Sequence, residues 1–167
     1  MKNCIHCFLV VGLLAVRGAL ADGATADKWG TVTNNVQMSI ALKSDENEIK
    51  TNQTVKLAIR FRNVSTNKTF WIFNSEIPEE LPGLSFVVTS PSGKDTSLTT
   101  KLTQSSGRGV RVAPSHIREL EFDLTRLYKF NEVGTYQITA KFGELLGGKS
   151  KFEVVSNPLS LGVVSGR

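Results

Sequence analysis

The chain has 167 residues, 40% hydrophobic and 21% charged, with a formal net charge of +5. That charge is mild and falls in no lysine-rich run, so it points to neither nucleic acid nor an anionic membrane surface. Two cysteines and two histidines exclude a disulfide framework and a histidine- or thiolate-rich metal centre.

Met1-Lys2-Asn3 is a short basic start, and Cys4 to Val16 reads CIHCFLVVGLLAV. A bilayer span needs about 20 apolar residues, and this run is shorter. It has the length of a signal-peptide core. Ala19-Leu20-Ala21 then supplies a small-x-small cleavage pattern. A signal peptide over residues 1–21 is expected, with the product exported to the periplasm or beyond. An uncleaved N-terminal anchor is the alternative, since Arg17 after the apolar core is unusual. Cleavage would remove Lys2, Arg17, both cysteines and His6, lowering the +5 charge by two. The remaining chain of about 145 residues would be enough for one domain held by its own core.

Residues 22–35, rich in Ala, Gly, Thr and Asn, read as a flexible leader. Trp29 stands alone in it, and packing back onto the domain is the simpler role for it. From residue 36 the apolar period is two. Val36, Met38, Ile40 and Leu42 predict one half-buried strand, and Val55, Leu57, Ile59 and Phe61 predict another. Ser44 to Glu48 forms a polar turn between them. Thr69-Phe70-Trp71-Ile72-Phe73 is bulky on both faces. Such a strand is either central and covered on both sides, the simpler reading, or carries an open binding face. Asn74 to Gly83 is a loop.

Leu84, Phe86 and Val88 begin the next strand, and Pro91-Ser92-Gly93-Lys94 is a turn, since Pro presets φ and Gly accepts φ > 0. Thr96 to Leu102 reads as a thin polar edge strand, and Gln104 to Pro114 as a Ser/Gly/Arg-rich loop. Leu120, Phe122 and Leu124 alternate with Glu119, Glu121 and Asp123 in a further strand. A helical turn is expected within Thr125–Asn131. Tyr136, Ile138, Ala140 and Phe142 form the following strand, and Gly147-Gly148-Lys149-Ser150 a turn. A last strand runs from Phe152 to Val163, interrupted at Asn157-Pro158. Proline lacks an N–H, so the break suggests an edge position or a bulge. The pattern predicts an all-β, immunoglobulin-like Greek-key sandwich of seven to nine strands over residues 36–164.

The stretch NEVGTYQITAKF, residues 131–142, fits that fold. Sandwiches of this type place a tyrosine near the start of the penultimate strand, its hydroxyl bonded to the chain a few residues upstream. Gly134 and Tyr136 have that spacing, with Ile138 where antibody-type domains carry a cysteine.

Candidate chemistry is thin. His116 is the only histidine after cleavage, and no G-x-S-x-G elbow, acidic calcium loop or separated carboxylate pair is present. Glu76, Glu79 and Glu80 cluster in one loop. Glu119, Glu121 and Asp123 are expected to point outward and pair with cations such as Arg60 or Arg62. Asn52, Asn63 and Asn67 begin glycosylation-acceptor triplets, read as ordinary turn residues. No cofactor or metal is expected, and the chain is read as non-enzymatic. Gly107-Arg108-Gly109-Val110-Arg111 reads most simply as a flexible loop; the alternative is an anion site with Arg108 and Arg111 as the cations. Trp71 and Phe73 share one strand face and could stack on a sugar ring if that face were open.

The segment LTRLYKFNEVGTYQITAKF, a Gly-Gly turn and SNPLSLGVV together resemble the closing strands of bacterial secreted immunoglobulin-like domains of uncharacterised families. LKSDENEIKTNQTVKLAIRFRNVSTN is similar to their opening strands. In those families a Lys-Pro is usual where Glu132-Val133 stands. The resemblance implies an extracytoplasmic binding or structural module and carries over no catalytic residue. The expected partner is an extracytoplasmic protein or a polysaccharide. A protein would be bound through loops or a sheet edge, with Thr96–Leu102 and the interrupted last strand as the edges. A polysaccharide would be bound through the aromatic face.

Overall fold

A computed structural model describes residues 28–44, 46, 48–73, 83–99, 109–146 and 149–166. The expected signal peptide, the leader up to residue 27 and the 74–82 loop lie outside the described residues. The domain is an immunoglobulin-like β-sandwich. Its first sheet is three-stranded, in the order β1 (Val36–Leu42), β3 (Lys56–Asn63), β8 (Ile117–Asp123). The second has the order β2 (Glu48–Lys50), β11 (Leu159–Val164), β9 (Gly134–Leu146), β5 (Leu84–Thr89), β6 (Asp95–Thr99), with β10 (Lys149–Val155) also on β9. A separate ribbon joins β4 (Phe70–Phe73) to β7 (Gly109–Val112). A 3₁₀ turn, Leu124–Arg126, follows β8, the Thr125 N–H met by the Asp123 side chain and the Leu124 N–H by Val55 O.

Period-two alternation sets the register. Met38 opposes Phe61, Ile40 opposes Ile59 and Leu42 opposes Leu57 on β1 and β3. Leu57, Ile59 and Phe61 are fully buried, so a one-residue slip would turn this whole set to water. Across the sandwich, Phe61 meets Phe142 edge-on at 5.1 Å and Phe86 lies 5.1 Å from Phe122. Each such side chain contributes about 1.5–3 kcal/mol by leaving water. Tyr128, Phe130 and Tyr136 make a second aromatic cluster under the chain entering β9.

The described residues form eleven strands, more than the expected seven to nine. β2 has only three residues, too few to show a period. β7 falls in the stretch expected to be loop. The break at Asn157-Pro158 is real, and β10 and β11 follow one another along β9. β11 is, however, no free edge, because it lies between β9 and the parallel β2, whereas β10 has β9 as its only partner among the described strands. Pro158 sits between the two strands, so its missing N–H removes no ladder bond. The break has a structural use. Ser156 bridges to Met38, and the Asn157 side chain accepts from Ile40 N (3.0 Å) and donates to Ile40 O (3.3 Å). The second sheet is tied there to β1 of the first.

Residues 28–35, expected in the leader, run back against the domain. Gly30 N donates to Met38 O at 2.9 Å, and a Cβ on Gly30 would stand 1.9 Å from Val155 O. Trp29 is half-buried with the Arg62 guanidinium 5.9 Å from its ring centroid. Among the described residues no helix is long and apolar enough to cross a membrane.

Candidate functional site: the outward face of the β4–β7 ribbon

Asn63, at the end of β3, positions the ribbon. It is buried, and its amide nitrogen donates to Lys68 O at 2.7 Å and to Val112 O at 3.0 Å. Its side-chain oxygen accepts from Ser65 N at 3.0 Å. Ser65 Oγ in turn accepts from the N–H groups of Asn67 and Lys68, which sets the turn leading into β4. One side chain thus orders the 64–68 turn and holds the end of β7. Asn63 was expected to be a turn residue; in the structure it ends a strand and its amide nitrogen is enclosed, donating to two carbonyls.

In the ribbon Phe70 opposes Val112, Trp71 opposes Arg111, Ile72 opposes Val110 and Phe73 opposes Gly109. Ile72 and Val112 are buried, and Phe70 packs against Phe61, Phe142 and Phe152 at 6.1–6.3 Å between ring centroids. The other face carries Trp71, 52% exposed, and Arg111, also exposed. The simpler expectation, a central strand with a core tryptophan, is therefore overturned. Trp71 stands half in water on that face, and β4 has β7 as its only partner among the described strands. The flexible-loop reading of Gly109 to Arg111 also fails, because these residues are strand β7. Of the four binding candidates, the structure brings Trp71 and Arg111 together as direct cross-strand partners. Arg108 lies outside the described residues, and so does the side chain of Phe73.

The other polar clusters are internally engaged. Arg60 meets Glu119 at 2.7 Å, Lys43 meets Glu119 at 3.0 Å, and Lys56 meets Glu121 at 3.1 Å. Arg60 and Glu119 are register partners, as the charge alternation of β3 and β8 led one to expect. The hydrogen bonds from Arg60 and Lys43 hold the Glu119 carboxyl below its ordinary range. Arg62, in contrast, opposes Ile117 rather than an acid and turns to Trp29. His116 is exposed in the turn before β8, its Nδ1 2.7 Å from Pro114 O. Glu76, Glu79 and Glu80 lie outside the described residues. Among the described residues no group of three His, Cys, Asp or Glu is gathered as a metal site would require. A shallow groove beside β2 is lined by Glu46, Glu48, Ile49, Lys50, Gln53 and Val164, where opposite charges are mixed and no aromatic ring is present.

Gly134 and Tyr136 hold the corner that the sequence suggests. Gly134 has φ +136, and Tyr136 is buried with its hydroxyl accepting from Glu132 N.

No protein-family model matches the sequence, and no curated protein does. Among solved structures, the C-terminal domain of wzt is similar over 83% of this chain and 78% of its own, with 10% identity and a TM-score of 0.51. The CARDB domain of the PF1109 protein from Pyrococcus furiosus is similar over 80% of this chain and 93% of its own, with 13% identity and a TM-score of 0.36. At 10% identity the likeness to the wzt domain is one of fold.

Proposed function

We propose that the domain is a non-catalytic binding module, working outside the cytoplasm, that takes a glycan on the outward face of the β4–β7 ribbon. One observation carries this reading: Trp71 is half-exposed opposite Arg111, on a strand whose alternate side chains are anchored in the core. A ring fixed on a rigid strand offers an apolar plane with little side-chain entropy left to lose on binding. A polar neighbour beside that plane gives the orientation that a purely apolar patch lacks. The engagement of Glu119 and Glu121 by cations supports a structural rather than a catalytic role for the acids of β8.

The test is a titration of the purified chain with a broad panel of polysaccharides, read by tryptophan emission. Quenching that disappears in Trp71→Ala, with Trp29 left as internal control, is the expected result. No shift across the panel, or equal quenching in Trp71→Ala, would overturn it. A second reading rests on β6, whose only described partner is β5. Its free side could accept a strand from a protein partner. Capture of one protein that survives Trp71→Ala would favour that reading.

A further inference from the structure

Resting on that assignment of the ribbon, we infer that the glycan is acidic, with a uronate or sulfate group held by Arg111 while the sugar ring lies on Trp71. Direct cross-strand partners on one face have Cβ atoms about 4.5–5.5 Å apart. The indole and the guanidinium are therefore carried by adjacent positions of one face, within reach of a sugar ring and its own charged substituent. A guanidinium fork takes a planar carboxylate or a sulfate through paired hydrogen bonds.

Three features leave that fork available. Arg111 enters no ion pair among the described residues. The described ribbon and its turns, residues 64–73 and 109–118, contain Lys68, Arg111, His116 and Arg118 and no carboxylate. Among the described residues, the nearest acids along the chain are on β8 and already face other cations: Lys43 and Arg60 on Glu119, Lys56 on Glu121, Arg126 on Asp123. Arg111 also does not cover the ring beside it. Among the described residues the cation found over an aromatic face is Arg62 over Trp29. That pair is self-satisfied, whereas Trp71 and Arg111 lie next to each other with neither consuming the other. A face with positive charge and an open ring complements a ligand with negative charge and an apolar ring surface, which a neutral glycan provides only in half.

The experiment compares matched polymers: polygalacturonate with its methyl-esterified form, and dextran sulfate with dextran. Binding is followed by Trp71 emission and by calorimetry at two salt concentrations. The acidic member of each pair is expected to bind about tenfold tighter or more, the value of one charge-assisted pair. Arg111→Gln should remove that preference and leave weak binding of the neutral polymer. Arg111 is exposed, so an unchanged melting curve will show that the variant is folded. Equal affinity for the neutral and acidic members would overturn the inference while leaving the glycan reading intact. Retention of the acidic preference in Arg111→Gln would overturn it too, by placing the anion elsewhere. Acidic polymer bound equally by Trp71→Ala would reduce the effect to general charge attraction and overturn it. Silence with every polymer would overturn both proposals.

Discussion

The backbone N–H of Glu132 donates to the hydroxyl of Tyr136 at 3.0 Å, and the Tyr136 ring is 1% exposed. That bond ties the chain crossing between the sheets to the strand it is about to enter. Tyr136→Phe keeps the ring packed against Phe130 at 5.0 Å and removes only the hydroxyl. Glu132 is exposed, so water can replace part of the lost bond. The expected loss is about 1 kcal/mol, at the ordinary value of a single net hydrogen bond. A urea midpoint lowered at unchanged slope will show it. An unchanged midpoint would mean the hydroxyl plays no part in holding the corner.

Gly134, two residues earlier, carries a separate constraint. Its φ of +136 disfavours any side chain, and a Cβ would stand 2.8 Å from Cβ of Pro91. Gly134→Ala is expected to cost about 1–3 kcal/mol through backbone strain and the clash together. Pro91→Ala in the same chain removes one of the two crowding carbons, since the other is Pro91 Cγ at 2.9 Å and the nearer is the shared Cβ. It should recover only a small part of the loss. Full recovery in melting temperature would show that strain contributes nothing.

Much of this architecture is legible in the sequence, and the reason differs by element. β1, β3, β8 and β9 show clean alternation because one face is core and the other water, and their register follows from it. The corner is legible because Gly134 and Tyr136 are fixed by backbone geometry. The ribbon is not. Phe70, Trp71, Ile72 and Phe73 are bulky at every position, so period two cannot say which pair faces out. Only the partner strand settles it, and β7 has four residues following a Ser/Gly-rich run. The Trp71–Arg111 pairing joins two segments separated by a long stretch of chain, and no local pattern announces it. The second half of the last strand, β11, was misplaced as an edge for a related reason. A proline signals a missing ladder bond, but the sequence does not reveal that β2 covers the strand beyond it.

Asn157 replaces a strand along part of the free side of β1, meeting both the N–H and the C=O of Ile40. Ile40 is a buried core residue, so its backbone groups have limited access to water. Asn157→Ala is expected to destabilise the domain by about 1–3 kcal/mol. Asn157→Asp retains an acceptor for Ile40 N and loses the donor for Ile40 O, so it should fall between the two in a urea titration. An alanine variant as stable as the parent would mean water serves Ile40 equally well.

The pH dependence of stability follows from Glu119. Arg60 first, and Lys43 second, hydrogen-bond its carboxylate and lower its folded pKa below the ordinary value. A group shifted in that direction adds stability that is present above its unfolded pKa and is lost as pH falls through the folded one. The loss therefore begins near the ordinary glutamate range, about pH 4.3, and continues below it. Glu119→Gln should flatten that acid limb by lowering stability modestly near neutral pH, where solvent screens the pair, and should match the parent at the lowest pH. Melting temperatures of both chains from pH 3 to 7 will check it. Parallel curves would show that Glu119 does not contribute to the acid limb.

Asn63 links fold to site most directly. Its side chain holds Lys68 O, Val112 O and Ser65 N together, and it is 1% exposed. Alanine there leaves these backbone groups without their partner and opens a small space beside β3. A destabilisation of about 2–4 kcal/mol is expected from buried groups left unpaired. The effect should be uneven. Ile72 and Val112 anchor the ribbon only through its inward face, so the amides of 70–73 and 109–112 should exchange faster than those of β3 and β9. If the outward face is the glycan site, affinity should fall in Asn63→Ala even at temperatures where the sandwich remains folded. Uniform exchange acceleration across all strands would show that Asn63 supports the whole core and has no particular hold on the ribbon.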